Sequence, residues 1–466
     1  MSKVVGVRER SFDFHVPVII IGAGAAGLVA ALAAREVGAE VLVLERDALP
    51  RGSTALSAGL VPAAGTRWQR AAKIEDDAGL FAADIMKKAK DEPDPALVAL
   101  VTSEVGDALE WLGDRYGLPF SVIDDFSYPG HSARRMHGLP SRSGEELIDA
   151  LRQAAEAAGV DILCEAQVTT LFASSDRRVL GLAFNRPDGS QEEVGCDRLI
   201  LACNGYGGNT DLVARYLPSL AEALYFGHPG NQGDALIWGQ ALGAATRHLS
   251  GHQGHGSVAH PASVLITWAT ISEGGFQVDQ EGKRFSDESC GYSEQATEVL
   301  RLPGGIAWTV FDERIAGIAR QFEDFKRAEA LGAIIAADDL ATLAQRMGVP
   351  VEALKETMAA VAGFKAGHGA DQFGRNFGGI QDLVAPYHAV RVTGALFHTQ
   401  GGLVIDDNAR VLDEAGTPLP NLYAAGGAAC GVSGGQAAGY LSGNGLLTAV
   451  ALGRLAGRRA ANMAER

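Results

Sequence analysis

The residues of this chain best suited to chemistry are arranged around glycines. Gly22, Gly24 and Gly27 stand at a GxGxxG spacing in Ile21-Gly22-Ala23-Gly24-Ala25-Ala26-Gly27. At that spacing the first glycine permits a tight turn, the second lets backbone approach a pyrophosphate, and the third lets a helix pack on a strand. Glu45 ends the next apolar run, Val41–Leu44, where a carboxylate accepts hydrogen bonds from an adenosine ribose. A second cluster, Asn204-Gly205-Tyr206-Gly207-Gly208, follows the apolar Leu199–Ala202. A third, Gly426-Gly427 and then Gly443-Asn444-Gly445, follows Asn421–Ala425 near the other end of the chain. Together they point to a dinucleotide held by turns from both ends of the sequence.

Such turns need strands to carry them. Val16–Ile21 is a short apolar run of the kind found in buried parallel strands. Leu28–Val37 is rich in Ala and Leu and reads as the helix whose amino end faces the phosphates. Arg51–Gly59 is a loop of small residues against which a planar cofactor can lie. Residues 93–117 and 143–158 read as amphipathic helices, the second with a capping box from Ser143 and Glu146. Residues 161–185 read as strands joined by a turn at Asp176-Arg177, and 195–202 as a further buried strand. The pattern changes after about residue 240: helices at 312–330 and 338–362 mix with short strands and no dinucleotide fingerprint. Leu403–Ile405, Leu422–Ala424 and a helix from Gly445 to Ala456 return to the first pattern. The organisation expected is a first part at 1–240, an inserted domain at 241–394 and a return segment at 395–466.

Composition narrows the class. The chain has 466 residues, 47% of them hydrophobic, which supports large cores. A net charge of −16 with acids spread along the chain argues against nucleic acid as a partner. Cys164, Cys196, Cys203, Cys290 and Cys430 show no CxxC spacing, as expected of reduced thiols in a cytoplasmic protein. No secretory signal, membrane-spanning segment, haem-attachment CxxCH or metal-ligand set stands out.

In their order along the chain, several motifs resemble one flavoprotein family. These are Gly52–Gly59, Asn231-Gln232-Gly233-Asp234-Ala235, Gly282-Lys283-Arg284-Phe285-Ser286-Asp287-Glu288, Pro386-Tyr387-His388-Ala389-Val390, His398-Thr399-Gln400-Gly401-Gly402 and Tyr423–Gly427. The family includes soluble fumarate reductases, the succinate dehydrogenase flavoprotein subunit and the 3-ketosteroid Δ1-dehydrogenases. The resemblance covers nearly the whole chain. It implies an α/β fold: a Rossmann-like, GR2-type FAD-binding domain with a parallel sheet and an inserted α+β capping domain that closes over the flavin. The residues it implies at FAD are Gly22, Gly24, Ala25, Ala26, Gly27, Glu45, Arg46, Ser53, Thr54, Ser57, Ala58, Gly59, Val168, Asn204, Gly205, Asp234, Gly426, Gly443, Asn444 and Leu446. No histidine stands in Arg51–Gly59, where the succinate dehydrogenase subunit attaches its flavin, so non-covalent FAD is expected.

The same family divides on a few positions. Fumarate reductases place a proton-donating arginine seven residues after the Phe of the GxRF motif; here that position is Tyr292. In ketosteroid dehydrogenases a tyrosine there is the base. Fumarate reductases also place a carboxylate-clamping arginine near the C-terminal glycines, where Tyr440 stands here. A tyrosine in that region, with a nearby backbone N–H, holds the ketone oxygen in ketosteroid dehydrogenases. The resemblance also puts His398 and His260, which precedes Pro261, at a substrate carbonyl or carboxylate, and Tyr128 in the site. Within Gly251–Pro261, His252 and His255 read as a hydrogen-bonding wall rather than a metal site. Arg134 or Arg142 remains able to bind an acidic group. The expected activity is FAD-dependent α,β-dehydrogenation of a ketone, a cyclic one by expectation. The alternative is reduction of the C=C bond of an unsaturated acid or enone. The electron acceptor is open.

Overall fold

Runs of branched apolar residues form the centre of the first structural unit. The computed structural model describes residues 2–124, 128 and 130–462. His15–Ile21 pairs in parallel with Val41–Leu44 on one side and with Gln191–Leu201 on the other. Asp161–Leu163 and Pro418–Ala424 continue the parallel set at its two sides. Antiparallel Val179–Asn185, then Gln167–Ala173 and Lys3–Gly6, extend it, and Arg410–Leu412, antiparallel to Pro418–Ala424, completes a nine-stranded sheet. Because the five central strands run the same way, the turns after Ile21, Leu44, Leu201 and Ala424 leave the sheet at one edge. Ligands of open α/β sheets bind at that edge.

This unit comprises Met1–Tyr216, Gly227–His252 and His398–Arg466. The helix Ala25–Glu36 is buried over its first ten residues and lies against the last helix, Asn444–Ala461. The close approach depends on missing side chains. A Cβ on Gly453 would stand 2.6 Å from the Ala26 carbonyl oxygen, and one on Gly457 2.1 Å from that of Ala30. Gly457→Val is therefore expected to destabilise the protein by about 3 kcal/mol, at the upper end of overpacking costs. Thermal denaturation of the purified variant checks this; an unchanged midpoint would show that the helices can part without penalty.

The second unit comprises Leu217–Phe226 and Gln253–Phe397. Its seven-stranded sheet is organised on the long strand Tyr387–Thr399. Ile306–Asp312 and Ile334–Ala337 pair antiparallel with that strand, and Leu224–Tyr225 pairs in parallel. The last pairing explains why Leu217–Phe226 joins this unit, well before the sequence pattern changes. Residues 241–252 stay with the first unit, where Thr246–Arg247 pairs with Gly402–Leu403.

Four local expectations need correction. The helix expected over 312–330 is two helices, Glu313–Ala319 and Glu323–Ala330. That expected over 338–362 is Leu340–Met347 and Val351–Lys365, interrupted by left-handed Gly348 (φ 72°) and by Pro350, a pair that stops a helix. Ser143 does cap Gly144–Ala157 through the Glu146 amide, but the Glu146 carboxylate turns to the Ser141 amide instead of closing a box. The strand expected over Leu403–Ile405 is confined to Gly402–Leu403.

Candidate active site

The cofactor cradle is built where the parallel strands end. Gly22 has φ +102°, and a Cβ there would meet the Ala202 carbonyl oxygen at 2.6 Å. On Gly27 a Cβ would lie 1.9 Å from the Gly22 carbonyl oxygen. Gly24 starts the first helix without a side-chain cap and with no acid in the first turn, as a helix that receives a phosphate requires. The Ala25 amide donates to Thr54 Oγ1 at 3.0 Å, so the Arg51–Gly59 loop is tied to that helix start. Ala26 is buried behind it, against Gly426, where a Cβ would approach Ala26 Cβ to 2.9 Å.

Glu45 accepts the Ala23 amide at 2.9 Å and the Asp47 amide at 3.0 Å; burial raises its pKa despite these bonds. Val168 is buried at the start of Gln167–Ala173, next to the backbone of Glu45 through Ala166. Arg46 donates to the Gly230 carbonyl at 2.8 Å. Ser53 Oγ accepts from both Asn204 and Asn231 side chains, at 3.1 and 2.9 Å. Ser57 Oγ donates to the Thr54 carbonyl and accepts the Gly59 amide, and Ala58 between them is exposed. Asn204 takes φ +63° and its carboxamide accepts the Gly205 amide at 2.8 Å. Asp234 starts the helix Asp234–Ala241, with its carboxylate bonded to the Ser2 hydroxyl. The final helix begins after left-handed Gly443 at Asn444, also without a side-chain cap, and Leu446 lies partly buried in its first turn. A cradle that any Cβ would fill, beside two uncapped helix starts, fits the phosphates and polar ring edge of FAD.

The first unit also gathers His398, Tyr440 and the loop carrying Tyr128. Tyr440 is buried, and its ring meets that of His398 edge-on at 5.3 Å between centroids. Burial pushes the Tyr440 phenol up to about 12 although the Gly443 and Gly445 amides hydrogen-bond to it. Burial also lowers His398 to about 4, so the imidazole is neutral. The Tyr440 loop is held by Glu92, which accepts the Gly435 amide at 2.7 Å and the Gln436 side chain at 2.6 Å.

His131 ties the Tyr128 segment to the same loop, its Nε2 lying 3.0 Å from the Ser442 carbonyl oxygen. Tyr128 itself is half-buried, and its carbonyl accepts the His131 amide. The arginines nearby do not supply a spare buried cation. Arg135 is fully buried between Asp76, at 2.8 Å, and Asp84, while Arg134 and Arg142 are exposed.

The second unit holds Tyr292 at the start of helix Tyr292–Leu300. Its ring stacks on His255 at 5.0 Å and 17°, and Trp268 meets both rings edge-on. His255 stacks in turn on Phe397, and Phe397 on Phe226. Two glycines of the histidine-rich run make this possible. A Cβ on Gly254 would meet Ala296 at 2.7 Å, and one on Gly256 would meet Gln295 at 2.7 Å, so the helix rests directly on the strand. Ser293 accepts the Gly254 amide at 2.9 Å. Burial drives His255 down to about 3. Upstream, Arg284 is buried against Glu288 and Asp371 at 2.7 and 2.6 Å, fixing the segment that leads to Tyr292.

His260 is not brought to this cluster. It is exposed beyond the end of His252–Ala259, five residues past His255 and therefore roughly 16 Å further along at strand rise. An odd offset also turns a side chain to the opposite face. The histidine set against Tyr292 is His255, which the sequence reading had assigned only to a hydrogen-bonding wall. Trp268, Phe226 and Phe397 carried no signal beyond being aromatic.

The buried histidines give the fold an acid-sensitive window. His131, His137 and His398 are each lowered from 6.5 to about 4, by burial first. Between those values the unfolded chain binds protons that the folded chain refuses, so stability falls as pH drops from 6.5 towards 4. Each shifted histidine contributes on the order of 1 kcal/mol per pH unit. Denaturation midpoints across that window check the slope; a flat profile would mean that these rings are protonated in the folded protein.

The geometry agrees with what comparison with known proteins finds. The FAD binding domain family matches residues 17–446. A probable fumarate reductase, Ifc3, of Shewanella frigidimarina is 31% identical over 451 residues, which are 96% of this chain and 75% of that protein. The open conformation of a flavocytochrome c3 fumarate reductase superposes with a TM-score of 0.83 at 29% identity, covering 97% of this chain and 79% of the other. The 3-ketosteroid-Δ4-(5α)-dehydrogenase of Rhodococcus jostii shares the fold, with a TM-score of 0.78, 24% identity and coverage of 98% and 100%. The chain belongs to the FAD binding domain family, and FAD is its cofactor. Among the described residues, no helix is long and apolar enough to cross a membrane.

Proposed function

We propose that this FAD-dependent oxidoreductase acts on a CH–CH bond next to a ketone, removing hydrogen from the α and β carbons. The observation that carries this reading is the Tyr440 hydroxyl, held by two backbone amides and set beside a neutral imidazole. An oxygen that accepts two N–H bonds is a polarised donor, suited to a carbonyl oxygen. Arg135 is engaged by two aspartates, so it offers no spare positive charge to a carboxylate, which favours a ketone over a dicarboxylate.

In this reading Tyr440 donates to the ketone oxygen and acidifies the α C–H. Tyr292, as phenolate, takes the α proton. Its place at the amino end of a helix favours the negative charge, and the stack on His255 holds its ring in one orientation. FAD, when bound, would supply a two-electron acceptor for the β hydrogen. His398 is a second neutral donor to the carbonyl side, and Tyr128 borders the same loop. Gly22, Gly24 and Gly27 would hold the phosphates, Glu45 the ribose, and the amino end of the last helix the flavin ring. The cofactor is held without a covalent bond, since Arg51–Gly59 contains no histidine. A cyclic ketone and a cytoplasmic setting complete the proposal.

A second reading, reduction of the C=C bond of an unsaturated acid, is favoured by the identity to a probable fumarate reductase. One experiment separates them. Under anaerobic conditions the holoenzyme is mixed with cyclohexanone carboxylates, 3-ketosteroids and open-chain ketones while the flavin absorbance is followed. Bleaching is expected with one of these classes. No bleaching, together with reoxidation of the reduced enzyme by an unsaturated acid, would overturn the ketone reading.

A further inference from the structure

A chain of uncharged side chains runs behind His398. Gln400 Nε2 lies 2.8 Å from His398 Nδ1. Ser433 Oγ donates to Gln400 Oε1 at 2.7 Å, and Asn444 Nδ2 donates to Ser433 Oγ at 2.9 Å. Gln400, Ser433 and Asn444 are all buried, Asn444 completely. The links run in one direction, from the first residue of the last helix to the imidazole. An amide nitrogen has hydrogens to give and no lone pair to accept with, so the Nδ1 that faces it is the unprotonated nitrogen. The hydrogen of a neutral ring then sits on Nε2.

We propose that Gln400 is a specificity-determining positioning residue: it holds His398 as a neutral Nε2–H donor, so the site accepts a neutral carbonyl in preference to a carboxylate. The inference rests on the proposed function in one respect, that His398 faces the substrate. The other groups set against His398 are His252, the Tyr440 ring, Gly445 on the Cε1–Nε2 edge of the ring, and the Thr399 carbonyl, whose pull towards a protonated ring is outweighed by burial. None of them is a carboxylate that would draw a second proton onto the ring. A carboxylate in the place of Gln400 would do so, because it can only accept and would take a hydrogen from Nδ1.

Gln400→Glu tests this at nearly constant shape. Histidine ¹⁵N resonances of the holoenzyme are followed against pH, with His398→Gln used to assign His398. In the wild type His398 is expected to stay neutral, with Nδ1 unprotonated, through the neutral range. In Gln400→Glu it is expected to titrate near or above the ordinary value. The ratio of kcat/KM for an enone to that for the matching unsaturated acid is expected to shift about tenfold towards the acid, the scale of losing one matched polar contact.

A wild-type His398 that is protonated at neutral pH, or one whose titration does not move in Gln400→Glu, would overturn the proposal. A shifted titration with an unmoved ratio would overturn the specificity claim and leave the ketone reading standing. Absence of any ketone or enone turnover in the wild type would strike the functional reading, with the titration still deciding what Gln400 does to His398. If Gln400→Glu does not fold, Gln400→Met removes the Nδ1 partner, and a mixture of both His398 tautomers is then expected. A single unchanged tautomer would overturn the proposal.

Discussion

Tyr292→Phe is expected to lower turnover by about 10²- to 10⁴-fold, the range of a positioned general base, while the enzyme keeps its full complement of FAD. The substitution removes one oxygen and leaves the ring on His255 and Trp268, so a folding defect is not expected. Exchange of the α proton with solvent deuterium gives a sharper readout than turnover. It should cease in Tyr292→Phe, because no base remains to take the proton. In Tyr440→Phe it should slow together with turnover, since the carbonyl is no longer polarised. Exchange at the wild-type rate in Tyr292→Phe would remove this residue from the proton step, whatever happened to overall rate.

Gly27→Ala is expected to have an equally large effect by a different route. A single methyl there would sit 1.9 Å from the Gly22 carbonyl oxygen, a backbone atom that cannot swing aside. Separating the helix from the turn costs on the order of 3 kcal/mol, or more than a hundredfold in FAD affinity if the whole cost falls on the bound state. The variant should purify largely without flavin and gain little thermal stability from added FAD. Stoichiometric flavin in purified Gly27→Ala would show that the turn can relax without losing its ligand.

The contrast between these residues explains how much the sequence could disclose. Gly22, Gly24, Gly27 and Glu45 were legible because their meaning is local: a strand, a turn, a helix and a strand within thirty residues or so fix their roles. Tyr292 and Tyr440 could be singled out by their spacing from recognisable motifs, though spacing says nothing about what surrounds them. His255 was hidden because its partners, Trp268, Tyr292 and Phe397, come from separate stretches of the second unit. The alternate glycines 254 and 256 were the available signal, a strand stripped of side chains on one face where a helix must lie. His260 was favoured by a neighbouring proline, a feature of backbone that carried no information about which face the imidazole takes. Gln400 stood inside the His398–Gly402 motif without a role of its own. Its importance depends on Ser433 and Asn444, which the sequence places far from it. The charges of Arg135 were similarly unreadable, because Asp76 and Asp84 reach it from another part of the chain.

The glycine contacts between the first and last helices bear on the order of events during synthesis. Gly453 and Gly457, which seat the closing helix on Ala26 and Ala30, are made some four hundred residues after the cradle's opening turn. Contacts of such long sequence separation form late and slowly. Until the closing helix is made, the first helix lacks the partner that buries it, and exposed apolar surface of that kind is prone to aggregate. A cradle closed from both sides accordingly waits until the closing helix has been made.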